Sequence, residues 1–203
     1  NLQYSRYADD ITFSTYKADF PVEIAYVDFN GVHVGTVLEE LIKKNNFLIN
    51  YNKVRISDYR QRQIVTGLVV NQFVNLRRDY IKEIRALLYS CKVKGLLESA
   101  KLYVEKGKCK NPKIIEAVNS GKSEKEDEII NWFLQVLKGK IEYIKSIRGD
   151  NNPTYLKYAS ELNRVSGKIF FRVDEYLDFI KQIEKSVFII EINALDDYIQ
   201  GSG

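Results

Sequence analysis

The adjacent carboxylates Asp9 and Asp10 stand between two short β-prone runs, residues 4–7 and 11–14. Tyr, Ile, Thr and Phe favour the extended chain, while Asp favours turns. The string therefore predicts a β-hairpin over residues 1–15 whose tight turn displays acids at its tip. A carboxylate on a rigid tip suits Mg²⁺, which takes hard oxygen ligands and leaves part of its shell to water and substrate phosphates. Two such ions can clamp the attacking and leaving oxygens of a phosphoryl transfer. The dipeptide by itself also describes an ordinary surface turn, so the rest of the chain has to separate the two readings.

Beyond the hairpin, residues 17–30 form a mixed stretch that contains Pro21 and closes on the turn signal Asn30-Gly31. Val34, Val37, Leu38, Leu41 and Ile42 recur at helical spacing and predict an amphipathic helix over about 32–45. Strands are expected near 47–56 and 63–75. Ile81, Ile84, Leu87 and Leu88 predict a second helix, and Leu96, Leu97, Ala100 and Val104 a third. After a loop at 107–111, Asn111-Pro112 opens a short helix that stops near Gly121. Ser123 with Glu126 reads as a capping box, and the acids over 124–128 complement the positive end of the helix dipole. The long helix that follows carries Ile129, Trp132, Phe133, Val136, Leu137, Ile141 and Ile144 on its apolar stripe. Asn152-Pro153 opens the next helix, expected to end near Gly167. Tyr176, Phe179, Ile180 and Ile183 suggest one more helix, and residues 186–192 are β-prone. There are no internal repeats and no low-complexity tracts.

Charge is distributed unevenly. The formal net charge is only +4, but residues 51–115 hold fifteen Lys/Arg against five Asp/Glu, while both flanking segments are net acidic. A basic segment after an acidic hairpin fits a binder of phosphate backbones, and it also fits a plain solvated surface. Tyr59, Phe73, Tyr80, Tyr89 and Tyr103 interleave with those cations. At helical spacing such aromatics belong to a core more often than to a base-stacking platform. An apolar content of 45% supplies a core, and no apolar run approaches the ~20 residues of a membrane span. One His and two separated Cys do not make a structural zinc site. Cys91 ends an apolar stripe and is expected to be buried, whereas Cys109 lies in a Lys-rich loop and is expected to be exposed. Free thiols of this kind suit a reducing, cytoplasmic setting.

The full string Arg6-Tyr7-Ala8-Asp9-Asp10-Ile11-Thr12-Phe13-Ser14 resembles the YxDD box of reverse transcriptases, in the form found in the bacterial retron-type group. Further blocks extend the resemblance in order and rough spacing. Phe47-Leu48-Ile49-Asn50-Tyr51-Asn52-Lys53 resembles the Asn-x-x-Lys block, with Asn46 standing where the family usually has Gly. Asn tolerates a left-handed backbone, so the turn there is expected to survive. Gln63-Ile64-Val65-Thr66-Gly67-Leu68-Val69-Val70-Asn71 resembles the primer-grip hairpin with its Val-Thr-Gly triplet. Residues 77–91 resemble the first thumb helix, and residues 137–141 and 149–155 a late thumb segment.

The resemblance implies an α+β fold: a partial polymerase palm of antiparallel hairpin strands plus a helix over 1–75, then a helical thumb bundle over 76–167. Residues 168–203 form an extension of unknown role, whose Gly201-Ser202-Gly203 end resembles a linker or cloning scar. It implies RNA-directed DNA polymerisation by two-metal nucleotidyl transfer in the complete protein, with Mg²⁺ held by Asp9 and, more weakly, Asp10. Lys53 matches a lysine proposed to neutralise the leaving pyrophosphate. Val65, Thr66 and Gly67 are implied to touch RNA, including a structured non-coding RNA. Arg77, Arg78, Lys82 and Arg85 lie on the thumb helix, and the last three share one face, placed to track phosphates. The implied partners are an RNA template, a DNA primer or RNA–DNA hybrid, deoxynucleoside triphosphates, and the fingers and first palm half that precede the box in this family. The chain thus reads as a C-terminal piece of a polymerase, expected not to polymerise alone. A non-catalytic RNA- or protein-binding palm–thumb module of a split or degenerate enzyme is the alternative.

Overall fold

The computed structural model describes residues 2–17 and 19–173. The helix and strand expected within 176–192, and the 201–203 end, lie outside the described residues. The chain divides into two compact units, Asn1–Arg77 and Arg78–Gly203.

In the first unit, strands β1 (Leu2–Tyr7) and β2 (Asp10–Thr15) form the expected antiparallel hairpin, with Tyr7 opposite Asp10. Only Ala8 and Asp9 make the loop. Ala8 has φ 51°, the positive value that a two-residue hairpin turn demands at its first position. Alternation places Leu2, Tyr4, Ile11 and Phe13 on one face, where the Tyr4 and Phe13 rings meet at 5.4 Å. Gln3, Ser5, Tyr7, Asp10, Thr12 and Ser14 share the polar face.

The mixed stretch contains a second hairpin, β3 (Ala25–Asp28) and β4 (Gly31–Val34), turning through Phe29 and Asn30. Asp28 Oδ1 accepts from the Asn30 amide (2.7 Å) and lies 2.8 Å from His33 Nε2. The amide, then the imidazole, hold the Asp28 carboxyl below its usual range. Val32 and Val34 favour this extended pairing, so helix α1 runs only over Thr36–Lys44 rather than from 32. No side chain caps its start. The Glu23 carbonyl accepts from Leu38 N (3.3 Å) instead, and Gly35 N donates to Ile24 O (2.7 Å). This approach is close enough that a Cβ at Gly35 would collide with the Glu23 and Val22 carbonyl groups. Asn46 ends the helix at φ 61°, as expected. The closing bonds run from Asn46 N to Lys43 O (2.9 Å) and from Phe47 N to Ile42 O (3.1 Å).

The strand expected over 47–56 is absent. A single 3-10 turn, Tyr51–Lys53, stands there, and the Tyr51 hydroxyl donates to Glu39 Oε1 (2.8 Å). A strand exists only through a partner's backbone, and no described strand pairs with this segment. The 63–75 expectation shrinks to β5 (Ile64–Val65) and β6 (Leu68–Val69). A bridge between Val69 and Asn75, with both bonds at 2.8 Å, extends it. Asn71 secures the approach: its Oδ1 accepts from Gln63 N (3.0 Å) and its Nδ2 donates to Gln61 O (2.7 Å).

The second unit is helical: α2 (Arg78–Lys94), α3 (Leu96–Glu105), α4 (Pro112–Ser120), α5 (Glu126–Arg148) and α6 (Pro153–Ser166). α5 packs against the other four. It buries Ile129, Phe133, Leu134, Leu137, Ile141 and Ile144, with Ile84 and Leu88 from α2 and Leu162 from α6 also almost fully enclosed. Each such side chain contributes about 1.5–3 kcal/mol by leaving water. By contrast, α1 of the first unit has no buried side chain. The core of the described residues is therefore concentrated in the second unit.

Both Asn-Pro starts are as expected. Asn111 Oδ1 accepts from Lys113 N (3.1 Å), and Asn152 Oδ1 from Thr154 N (3.0 Å) and Tyr155 N (3.4 Å). Gly121 and Gly167 close α4 and α6 in the left-handed conformation. The Ser123–Glu126 capping box does not form. Ser123 opens its own 3-10 turn, and Glu126 is already the first residue of α5. The acids Glu126, Asp127 and Glu128 still sit in the first turn. Cys109 is also corrected: it is only 7% exposed, packed with Val104 and Ile114. After α6 the buried Asn163 holds the chain. Its Oδ1 accepts from Phe170 N (2.9 Å) and Phe171 N (3.2 Å), and its Nδ2 donates to Phe171 O (2.7 Å).

Among the described residues, no helix is long and apolar enough to cross a membrane.

Candidate active site and nucleic-acid interface

The hairpin tip is braced from within. Arg6 Nε donates to the Ala8 carbonyl (2.7 Å), and its guanidinium lies 5.6 Å from the centre of the Phe47 ring. One side chain thus fixes the turn and ties it to the segment after α1. Asp9 occupies the turn itself. Asp10 opens β2 on the polar face, beside Tyr7. Both carboxylates are exposed to solvent. The described residues contain no group of three or more His, Cys, Asp or Glu arranged to hold a metal ion. Two adjacent carboxylates nevertheless fit Mg²⁺, which binds through one or two such groups and completes its shell with water and phosphate oxygens.

Lys53 lies in the 3-10 turn rather than in a strand, and it is exposed. Tyr51 ties that turn to α1. Val65 ends β5, and Thr66 with Gly67 makes the hairpin loop. Both loop residues have positive φ, 47° and 85°. This is a type I′ pattern, which suits Gly and strains a β-branched Thr. The Thr66 side chain is exposed at the tip.

Arg77 precedes α2, whereas Arg78, Lys82 and Arg85 project from it and are exposed. No ion pair engages these three among the described residues, although Glu83 on the same helix takes both Lys140 (3.1 Å) and Lys108 (3.6 Å). The opposite side of α2 buries Ile84, Leu88 and Cys91. The residues expected to act together therefore appear as three local groups: the Asp9–Asp10 tip, the Val65–Gly67 turn and the α2 face.

The sequence places Tyr89 among the interleaved aromatics but not on the α2 face. Tyr89 and Lys92 continue the α2 face at the next helical positions, and Tyr89 is 65% exposed. The interleaved aromatics thus divide: Tyr103 is buried in the core, whereas Tyr59, Phe73 and Tyr89 are exposed. Tyr59 stacks under Arg60 at 5.3 Å. Extending the i, i+4, i+7 series by one turn would have found Tyr89.

No family model matches the chain. No solved structure matches it. The chain is similar to the retron Mx162 reverse transcriptase of Myxococcus xanthus, 32% identical over 95 residues. That match covers 44% of this chain and 20% of the relative, so the chain spans about a fifth of the relative's length. The similarity supports a reverse-transcriptase-like relationship.

Proposed function

We propose that this chain is the C-terminal palm and thumb part of a retron-type RNA-directed DNA polymerase. The observation that carries the reading is the braced hairpin presenting Asp9 and Asp10 at its tip. Similarity to a retron reverse transcriptase supports it. In the complete protein Asp9 holds Mg²⁺ and Asp10 assists. The ion supplies charge neutralisation at the nucleotide phosphates and activation of the primer hydroxyl. Arg6 keeps the turn rigid, so that Asp9 need not be ordered again for each nucleotide added. Lys53 offers a cation for the leaving pyrophosphate. The Val65–Gly67 turn contacts RNA, including a structured non-coding RNA, and the α2 face tracks the phosphates of template and primer. The substrates are deoxynucleoside triphosphates, and a fingers and palm half completes the site.

The alternative, a non-catalytic binding module, draws on the same α2 face. Replacing Asp9 separates the two. In the complete protein Asp9→Asn should abolish primer extension with Mg²⁺, leaving the circular dichroism spectrum and RNA binding unchanged. Full extension by that variant would make Asp9 a turn residue only. A wild-type complete protein that binds RNA but extends no primer would establish the binding module.

A further inference from the structure

We propose that the loop joining α3 to α4 is a second phosphate-contacting surface, whose ligand is the sugar–phosphate backbone of a nucleic-acid duplex. The inference rests on the reading above and adds a surface to it. The loop carries Lys106, Lys108 and Lys110, and Lys113 follows in the first turn of α4. Its alternation is enforced by burial: Cys109 turns into the core between Val104 and Ile114, so its neighbours Lys108 and Lys110 face outward. The loop is pinned at both ends. Gly107 N donates to Val104 O (2.9 Å) and Lys108 N to Tyr103 O (3.3 Å). On the far side, Asn111 caps α4.

Lys108 reaches Glu83 of α2 at 3.6 Å, which fastens the loop beside that helix. Lys106, Lys110 and Lys113 are exposed and have no ion pair among the described residues. Elsewhere in the chain, lysines find acids four residues away, as in Lys43–Glu39 (2.7 Å) and Lys138–Glu142 (3.5 Å). Like charges held together on a pinned loop repel one another, and a polyanion relieves that repulsion. A membrane surface fits less well. Amphipathic binding to lipid needs apolar side chains beside the cations, and no large apolar side chain is exposed between Val93 and Tyr143. Lysine ammonium groups are point charges, so contact with the backbone carries no sequence preference.

The test uses the complete protein and a labelled RNA–DNA hybrid, with binding measured across a salt series. The triple variant K106Q/K110Q/K113Q keeps Lys108 and its bond to Glu83. It should weaken binding and lower the log–log salt slope by roughly 2–3 units, equally for unrelated sequences. The triple Lys→Arg variant should keep the wild-type slope. R78Q/K82Q/R85Q should produce its own loss, and the two losses should add. An unchanged slope in the loop variant, with a loss in the α2 variant, overturns the loop proposal and leaves the functional reading standing. Unchanged binding in both overturns the loop proposal and the nucleic-acid grip together. Unchanged hybrid binding with loss of binding to phosphatidylserine vesicles would instead assign the loop to lipid.

Discussion

Thr66 shows how a single residue can carry information that its neighbourhood does not explain. Its φ of 47° places a β-branched side chain where Gly or Asn rests more easily, and nothing buries that side chain in return. Strain of this kind costs on the order of 1 kcal/mol and tends to persist at sites of contact. Thr66→Asn should therefore stabilise the protein by up to about 1 kcal/mol in chemical denaturation, since Asn relaxes in the left-handed region. The same substitution should weaken binding of a structured cognate RNA more than binding of an arbitrary duplex. Equal loss on both, or none, would return Thr66 to the role of a plain turn residue. Asn163 is the contrasting case. Three backbone hydrogen bonds satisfy its buried amide.

At the scale of elements, legibility followed the locality of the interaction. Asn111 and Asn152 cap helices through amides two and three residues away, so the sequence alone is enough to find them. Asn46 closes α1 for the same reason. The segment 47–56 has a composition that suits a strand, but pairing is decided by distant backbone, which composition does not encode. Ser123 satisfies the capping spacing, but an extra 3-10 turn shifts the start of α5 past it. Cys109 sits among lysines in sequence and among Val104 and Ile114 in space. In the candidate site, the hairpin and its acidic tip were legible, whereas the brace from Arg6 to Ala8 and Phe47 was not. The caps supply a direct comparison. Asn111→Ala should lower stability by about 1 kcal/mol, whereas Ser123→Ala should change it by only a few tenths. Equal effects in thermal denaturation would mean that Ser123 caps after all.

For the molecule as a whole, the helical unit also sets the response to alkali. Burial pushes the Cys91 thiol from 9.0 up to about 11. Burial, then the charge of Tyr143, pushes the Tyr80 phenol from 10.0 up to about 12. Both groups stay protonated in the folded state at a pH where the unfolded chain has lost the proton. Their contribution is complete below the unfolded values and is lost as pH rises through the folded ones. Urea midpoints should therefore fall from about pH 9 to 12. Tyr80→Phe should make the slope between about 10 and 12 shallower, and an unaltered slope would exclude Tyr80 as a contributor. The burial of Cys91 and Cys109 has a practical consequence as well. Both thiols, and the single Trp132, belong to the second unit. Thiol-labelling rates and indole fluorescence therefore take their signal from side chains of the helical unit. Neither probe lies in the acidic hairpin, so a chain that passes both assays as native has been examined directly over only part of its length.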